Sequence, residues 1–481
     1  VGLRTGDEYI DSLRDDREVW INGERVSDVV SHPAFAEGIR SIASLYDLQH
    51  EPDMRDVLSF VAEDGERRPM SLMIPRSVED LEKRSAAFRV MAQQTFGLMG
   101  RSPDFMNAIL TAWSIGRDMF GKADPAFGDN VADFVERVGV GDLALTHALL
   151  NPQVDRSRSV GEFSDTSLAL HVVEETDNGL IVSGARLLAT LAPYTNEVVM
   201  ALHPGPPLKE GEEMYALAFA VPVATPGLRL VCRQQLSRSG QYYDHPLASR
   251  FDEMDAFVIC DRVLVPWDRV FIYRDIEVNN TVLKGTFTPY YAAQQTTNRA
   301  LVKAEFAMSL AVSIAETIGV DGFINVQEPI GEMVDTVGVM RAAIRGAIAN
   351  PSPNPWMDGV VMPDGDAMMA VRGLFPFVFP RFSEIIQRTG ASGLINHPDL
   401  ATLESPIGDD IRRYYQAAKG SADDRIRLFK LAWDFVGDGF GSRQLLYERF
   451  YAGDPTRLRA GRFMGLDREA VRATISRALR N

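Results

Sequence analysis

The sequence has little cysteine, no excess of basic charge and no long apolar run. Two cysteines, Cys232 and Cys260, occur in 481 residues, both in apolar surroundings. No Cys-x-x-Cys pair or Cys/His cluster has zinc-ligand spacing, so no metal centre is expected. Two isolated thiols fit a reducing compartment. The formal net charge of −16 argues against nucleic acid or an anionic membrane surface as the main partner. No apolar stretch approaches the length of a bilayer span. The opening residues Val1 to Glu8 are polar and lack the apolar centre of a secretion signal, so the cytoplasm is the expected setting. Familiar catalytic and nucleotide motifs are missing too. Gly116-Arg-Asp-Met-Phe-Gly-Lys-Ala123 nearly spells a phosphate-binding loop. Ala123 stands where a magnesium-binding hydroxyl is needed, however, and the segment reads as helix. No Gly-x-Gly-x-x-Gly opens a βαβ unit, and no Gly-x-Ser-x-Gly or His-Glu-x-x-His occurs.

What is present is an ordinary globular composition, 46% hydrophobic and 24% charged, in a chain long enough for two or three domains. Residues 1–155 read as mainly helical. Exceptions are a short hairpin around Asn22-Gly23 and a break after His147. Helical periodicity marks Phe35, Ile39, Ile42 and Leu45, then a stretch from Ser77 to Gly97, then one from Phe105 to Phe120 capped by Ser102-Pro103-Asp104. Residues 156–280 carry short β-branched runs separated by Gly, Pro and Asn clusters, which predicts an antiparallel sheet or small barrel. The last of these runs is read from Ala256 to Ile272. Residues 281–481 return to longer helices, with one segment interrupted at Pro376 and Pro380 and another running from Ser421 to Phe450. The expected class is α+β: an N-terminal helical domain, a central antiparallel β-domain and a C-terminal helical bundle.

Three polar clusters stand out. The first is Gly100-Arg-Ser-Pro-Asp-Phe105 at a helix start, where Arg101 can hold an anionic oxygen; the alternative is a capped helix with a surface arginine. The second runs from Gly141 to Arg158 and holds His147, a chain break at Asn151-Pro152, and then Gln153, Asp155 and Arg156. It suits a polar ligand, or else a helix ending before Pro152 around a buried histidine. The third, Gly437-Asp-Gly-Phe-Gly-Ser-Arg443-Gln444, places three glycines in a helical pattern, for a flat ligand or for close packing. Thr190 closes an apolar strand. Of the remaining histidines, His32, His245 and His397 each precede a proline and read as turn residues, and His203 follows a strand where it could line a site mouth.

Taken together, these segments resemble the 4-hydroxyphenylacetate 3-monooxygenase family, the large oxygenase components of two-component flavin monooxygenases. The resemblance covers nearly the whole chain. It is carried by Arg4-Thr-Gly-Asp-Glu-Tyr9, Val19-Trp-Ile-Asn-Gly-Glu-Arg-Val26, Leu45-Tyr-Asp-Leu-Gln-His50, Met99-Gly-Arg-Ser-Pro-Asp104, Thr146-His-Ala-Leu-Leu-Asn-Pro-Gln153, Val263-Leu-Val-Pro-Trp-Asp-Arg-Val-Phe271, Ala391-Ser-Gly-Leu394 and Leu446-Tyr-Glu-Arg-Phe450. It implies an acyl-CoA-dehydrogenase-like fold, usually as a homotetramer. It also implies reduced FAD (FADH2) delivered by a separate flavin reductase, and ortho-hydroxylation of a phenol by O2 through a flavin C4a-hydroperoxide.

By residue match, Arg101 and His147 act at the phenol oxygen, with Phe105 and His203 beside the substrate. His147, Ala148, Leu149, Gln153, Val154, Asp155, Arg156 and Thr190 match flavin contacts, as do Asp454, Pro455, Thr456 and Arg457. Arg443 and Gln444 are added from their glycine-rich setting. Three departures bear on the substrate. Phe105 replaces a tyrosine, so one hydrogen bond to the phenol oxygen is lost. His203-Pro204 falls where the family clamps a carboxylate, and Gln294-Gln295 replaces a His-Gln pair. The expected substrate is therefore a 4-hydroxyphenyl compound that is 4-hydroxyphenylacetate-like, halogenated, or tethered to a carrier protein. An acyl-CoA-dehydrogenase-like flavoenzyme without O2 insertion, or a non-catalytic interaction protein, are the alternatives at this point.

Overall fold

The computed structural model describes residues 2–155, 157–165, 167–201 and 207–480. Arg156 and His203 lie outside the described residues. The first block is built on four main helices. Ala36–Leu48 buries Ile39, Ile42, Ala43, Leu45 and Tyr46 on one face. Val78–Gln94 starts at Ser77, whose hydroxyl accepts the Asp80 amide. Pro103–Ile115 is buried on almost every side, which its apolar sequence requires. Pro125–Gly141 follows, capped by Asp124, burying Val131, Phe134 and Val138, and ending at Asp142 in the left-handed region. This last helix has no counterpart in the sequence reading.

The β-domain is two sheets rather than one. The larger runs in the order Glu24–Val26, Glu18–Ile21, Leu228–Cys232, Asp255–Pro266, Gly179–Thr190, His171–Thr176. The smaller runs Val270–Tyr273, Leu217–Pro222, Glu197–Met200, Leu145–Ala148. Most pairings are antiparallel, but Glu18–Ile21 joins Leu228–Cys232 in parallel, and Leu145–Ala148 joins Glu197–Met200 in parallel. The Asn22-Gly23 hairpin forms as expected, with φ of 54° and 84°. It belongs to the large sheet, however, and the His147 strand belongs to the small one. Residues before 156 thus complete both sheets of the β-domain. The reading of a single strand from Ala256 to Ile272 is corrected: a turn at Trp267–Arg269 sends the chain from one sheet into the other.

In the bundle, Thr288–Thr317, Ile324–Ala349 and Gly365–Gly390 pack side by side. Pro376 and Pro380 do not interrupt the last of these, which continues through both. A proline costs a helix roughly 3 kcal/mol. Here Phe375, Phe379 and Phe382 are buried on the same stretch, each contributing about 1.5–3 kcal/mol. The segment from Ser421 to Phe450 is two helices, Ala422–Val436 and Gly439–Phe450, broken at Gly437-Asp438. Ser421 and Asp424 form the capping box at its start. Two short helices end the chain, Pro455–Met464 and Arg468–Ala478, neither with a buried residue. Among the described residues, no helix is long and apolar enough to cross a membrane.

Candidate active site

The start of helix Pro103–Ile115, the strand Leu145–Ala148 and the end of helix Gly439–Phe450 converge on one wall. The Arg101 guanidinium lies 4.0 Å from the centroid of the Phe105 ring and 4.3 Å from that of Tyr451. Phe105 in turn packs against the His147 ring at 5.6 Å and against Tyr451 at 5.9 Å. Arg101 is therefore held by two aromatic faces, a contact worth up to about 2 kcal/mol when desolvated. Its donors remain open. Nη2 makes one long contact to the Tyr451 carbonyl at 3.5 Å, and the buried Nε has no partner. A guanidinium pinned by rings rather than by a carboxylate is ready to take an incoming anionic oxygen. His147 reaches this wall from a strand in register with Val199, not from the helix considered for that stretch.

The backbone of Arg101 is fixed by a buried carboxylate. Glu253 Oε1 accepts the amides of Gly100 and Arg101 at 2.6 and 2.9 Å. A Cβ at Gly100 would meet the Tyr447 hydroxyl at 2.5 Å, so the close approach requires glycine. Burial raises the Glu253 carboxyl above its ordinary range, partly offset by Arg443. Arg443 donates to Glu253 at 3.3 Å and grips Asp255 with two bonds of 2.8 Å. Asp255 also receives Arg233 and the Thr190 hydroxyl, each at 2.8 Å. Burial pushes the Asp255 carboxyl up, but Arg443 and Arg233 outweigh it and hold the group well below the usual range. Arg443 and Thr190, both expected to face a flavin, thus direct these donors into the protein. They belong to a network that ties the Arg101 turn to the β-domain.

Gln444 also turns inward. It accepts from Lys303 at 2.5 Å and donates to the Leu98 carbonyl at 3.3 Å. The buried Glu448 takes two bonds from Arg299, at 2.6 and 2.7 Å, and one from Lys303 at 2.7 Å. Against the upward push of burial, these cations hold the Glu448 carboxyl down at about 2. Burial lowers the Lys303 ammonium to about 8. The glycines before this cluster serve packing. A Cβ on Gly441 would meet backbone atoms of Val436 and Phe435 at 2.8–2.9 Å, where one helix ends against the next.

Ala148 is buried in the strand, and Leu149 packs beneath the Phe105 cluster. Gln153 is exposed, and Val154 is 57% exposed. Asp155 caps its own turn by accepting the Ser157 amide and hydroxyl. Leu150 pairs with Leu187, the neighbour of Leu188, which is exposed at a φ of 60°. Exposed Leu150, Val154 and Leu188 beside Asn151, whose buried Oδ1 has no partner, fit the edge of a flat ring with polar rims. Asp454 caps helix Pro455–Met464 by accepting the Thr456 amide. Arg457 stays at the surface, 3.9 Å from Asp454. That segment begins three residues after Tyr451, within about 10 Å of it along the chain.

Several residues of this wall escaped the sequence reading. Tyr451 is central, yet only its position after the Leu446–Phe450 motif marked it. Its hydroxyl donates to the Gly100 carbonyl at 2.8 Å and meets Gln295 at 3.2 Å, so it does not replace the hydroxyl absent from Phe105. Gln295 also reaches Asp104 at 3.4 Å. Asp104 is buried, and burial raises its carboxyl to about 6 despite the bond from Ser102. Glu253 and Asp255 sit next to a strand start and carry no local signal, since their partners lie some 190 residues away.

Comparison with known proteins fits this geometry. Residues 5–272 match the family profile for the 4-hydroxyphenylacetate 3-hydroxylase N terminal, and residues 278–480 match the profile for its C terminal. The 4-hydroxyphenylacetate 3-monooxygenase oxygenase component of Thermus thermophilus is 42% identical over 95% of this chain and 93% of its own. A Streptomyces globisporus monooxygenase of a (3S)-3-amino-3-(3-chloro-4-hydroxyphenyl)propanoyl group on a peptidyl carrier protein is 36% identical, over 94% of this chain and 85% of its own. The crystal structure of an oxygenase component of 4-hydroxyphenylacetate 3-monooxygenase, complexed with FAD and 4-hydroxyphenylacetate, superposes with a TM-score of 0.94. It is 40% identical and covers 99% of this chain and 98% of that one.

Proposed function

The chain belongs to the 4-hydroxyphenylacetate 3-hydroxylase family, and we propose that it is the oxygenase component of an FADH2-dependent monooxygenase that ortho-hydroxylates a phenol with O2. The observation that carries this reading is Arg101. It is a cation clamped between Phe105 and Tyr451, with open donors and His147 one ring away.

A phenolate attacks an electrophilic oxygen far better than a phenol does, so the site must remove a proton and hold the resulting charge. His147 takes the phenol proton, and Arg101 holds the phenolate oxygen. Phe105, Tyr451 and Leu149 exclude water. Reduced FAD, when bound, supplies the electrons that activate O2. Ala148, Leu149, Gln153, Val154 and Asp155, with the Asp454–Arg457 segment, would hold it; the Thr190 hydroxyl, whose proton is committed to Asp255, could join them only as an acceptor. The reduced flavin comes from a separate reductase.

The substrate is a 4-hydroxyphenyl compound, free, halogenated or carried on a protein as in the Streptomyces relative. Phe105 leaves its phenol oxygen with one donor fewer. The acyl-CoA-dehydrogenase-like alternative needs a basic carboxylate in the last bundle helices. Glu448, held at about 2 by Arg299 and Lys303, is too weak a base for it. A homotetramer is supported by the last two helices, which leave Phe463, Met464, Leu466, Val471, Ile475 and Leu479 exposed. A cytoplasmic setting is supported by Cys232 and Cys260, which are free and buried.

The test mixes protein, FADH2, O2 and a panel of phenols that includes carrier-bound ones, and follows catechol and hydrogen peroxide. Catechol from at least one phenol is expected, and its absence across the panel rejects the reading. In His147→Ala, hydroxylation slows while peroxide release continues; unchanged coupling would remove His147 from the mechanism.

A further inference from the structure

Three metal-ligand groups meet where the β-domain touches the break between helices Ala422–Val436 and Gly439–Phe450. His245 lies in the turn before residues 248–251, and its Nδ1 is 3.7 Å from Asp434 Oδ1 and 3.5 Å from Asp438 Oδ2. All three donor atoms lie within 4.8 Å of one another. Asp434 is fully buried at 0% exposure. Its Oδ2 accepts the amides of Leu247 and Ala248 at 2.6 and 2.8 Å, which fixes the carboxylate. Its Oδ1 is left without a hydrogen-bond donor and faces the imidazole, whose Nδ1 is also without a hydrogen-bond partner. A buried carboxylate oxygen in this state has given up its water with no hydrogen bond to offset the loss. Zinc–nitrogen and zinc–oxygen bonds near 2.1 Å in a tetrahedral site put ligand atoms roughly 3.3–3.6 Å apart. The two separations from the imidazole, 3.5 and 3.7 Å, meet that range to about 0.1 Å, and the two carboxylate oxygens lie within 4.8 Å of each other.

We propose that His245, Asp434 and Asp438 bind one zinc-class dication per chain, with water completing the coordination. One imidazole and two carboxylates are a donor set suited to zinc, and the two carboxylates balance its charge. The site is structural. His245 comes from the β-domain and both aspartates from the bundle, so the ion clamps one to the other. Asp438 caps the helix that carries Arg443, Tyr447 and Glu448 and leads into Tyr451. The clamp therefore sets the height of the wall behind Arg101. It does not depend on the hydroxylase reading, because the binding readouts below are independent of catechol formation.

The test titrates zinc chloride into the full chain, stripped with chelator, at pH 8, where protons compete less for the imidazole. Calorimetry and thermal unfolding are read together. Saturation at one zinc per chain is expected, with Tm rising over the same range. His245→Ala and Asp438→Asn should each weaken binding more than ~10-fold, since even outer-shell changes at metal sites cost ~10–100-fold. His245→Cys, which returns a zinc ligand, should recover it. The exposed-histidine variant His50→Ala should bind as the parent does. No saturable zinc, or equal affinity in folded His245→Ala, overturns the proposal and leaves the cluster as a protonated histidine between two carboxylates.

Discussion

Two arginines press on the ring of Tyr451, each 4.3 Å from its centroid, and they are equipped in opposite ways. Arg299 is paired with a carboxylate, through two bonds to Glu448, and donates at 2.8 Å to the Gly97 carbonyl, although its Nε, like that of Arg101, has no partner. Arg101 has no carboxylate partner among the described residues and holds its position through stacking and its backbone. The first is a structural cation whose charge is cancelled inside the protein. In the proposed role the second would keep its charge for a ligand, and the first would support it by packing on the ring on which the second rests.

The comparison breaks most severely at Glu448. Glu448→Gln leaves Arg299 and Lys303 as buried cations facing a neutral amide, and should cost about 3–5 kcal/mol of stability in denaturant unfolding. A loss under 1 kcal/mol would show that the cluster is not what holds the seam. Arg101→Met keeps the packing and removes the charge. The rate of catechol formation should fall by roughly 10²–10³-fold, about 2.7–4 kcal/mol, with little change in unfolding midpoint. A variant that unfolds easily yet hydroxylates normally would reverse the two roles.

A third expectation concerns Asp104, beneath the Arg101 turn. Burial raises its folded pKa to about 6, above the ordinary aspartate value of 3.8. Its favourable contribution is therefore complete below pH 4, and it is lost as pH rises through 6. Asp104→Asn should remove this dependence and raise stability at pH 8 by ~2–3 kcal/mol, leaving pH 4 nearly unchanged. Equal effects at the two pH values would mean that the carboxylate is ionised throughout. The smallest effect is expected from Phe105→Tyr. It adds one donor near the phenol oxygen, worth about 0.5–1.5 kcal/mol, read as a roughly 2- to 10-fold lower KM for a simple phenol. A higher KM would indicate that the hydroxyl fills space the substrate needs.

The order of helices, strands and helices was legible because it rests on periodicity within each segment. Strand membership was not. Val19 and His147 lie in short strands whose partners, Leu230 and Val199, are remote in sequence or reached only after another sheet is built. The proline interruptions were misjudged for a related reason, since the buried phenylalanines that override Pro376 and Pro380 draw their benefit from neighbouring helices. In the candidate site, Arg101, Phe105 and His147, which the structure brings to one wall, each stand in a recognisable local motif. Glu253, Asp255 and Tyr451 were not, because a carboxylate or a ring has no function until its distant partner arrives. Arg443 and Gln444 were marked by their glycines, and those glycines answer to backbone crowding at a helix junction.

The last two helices, of ten and eleven residues, bury nothing of their own. Helices shorter than ~12–15 residues are marginal in water without tertiary support. Pro455–Met464 is tethered to the bundle by the Arg459 guanidinium over the Phe377 ring and by the Arg462–Asp366 ion pair, contacts that salt weakens. Asp454 and Thr456 open that helix. In the proposed homotetramer its persistence would follow mass action: at high protein concentration a second copy would cover the apolar residues, and on dilution the arm would be released. Flavin retention should then depend on protein concentration and ionic strength, even with every residue around Arg101 unchanged.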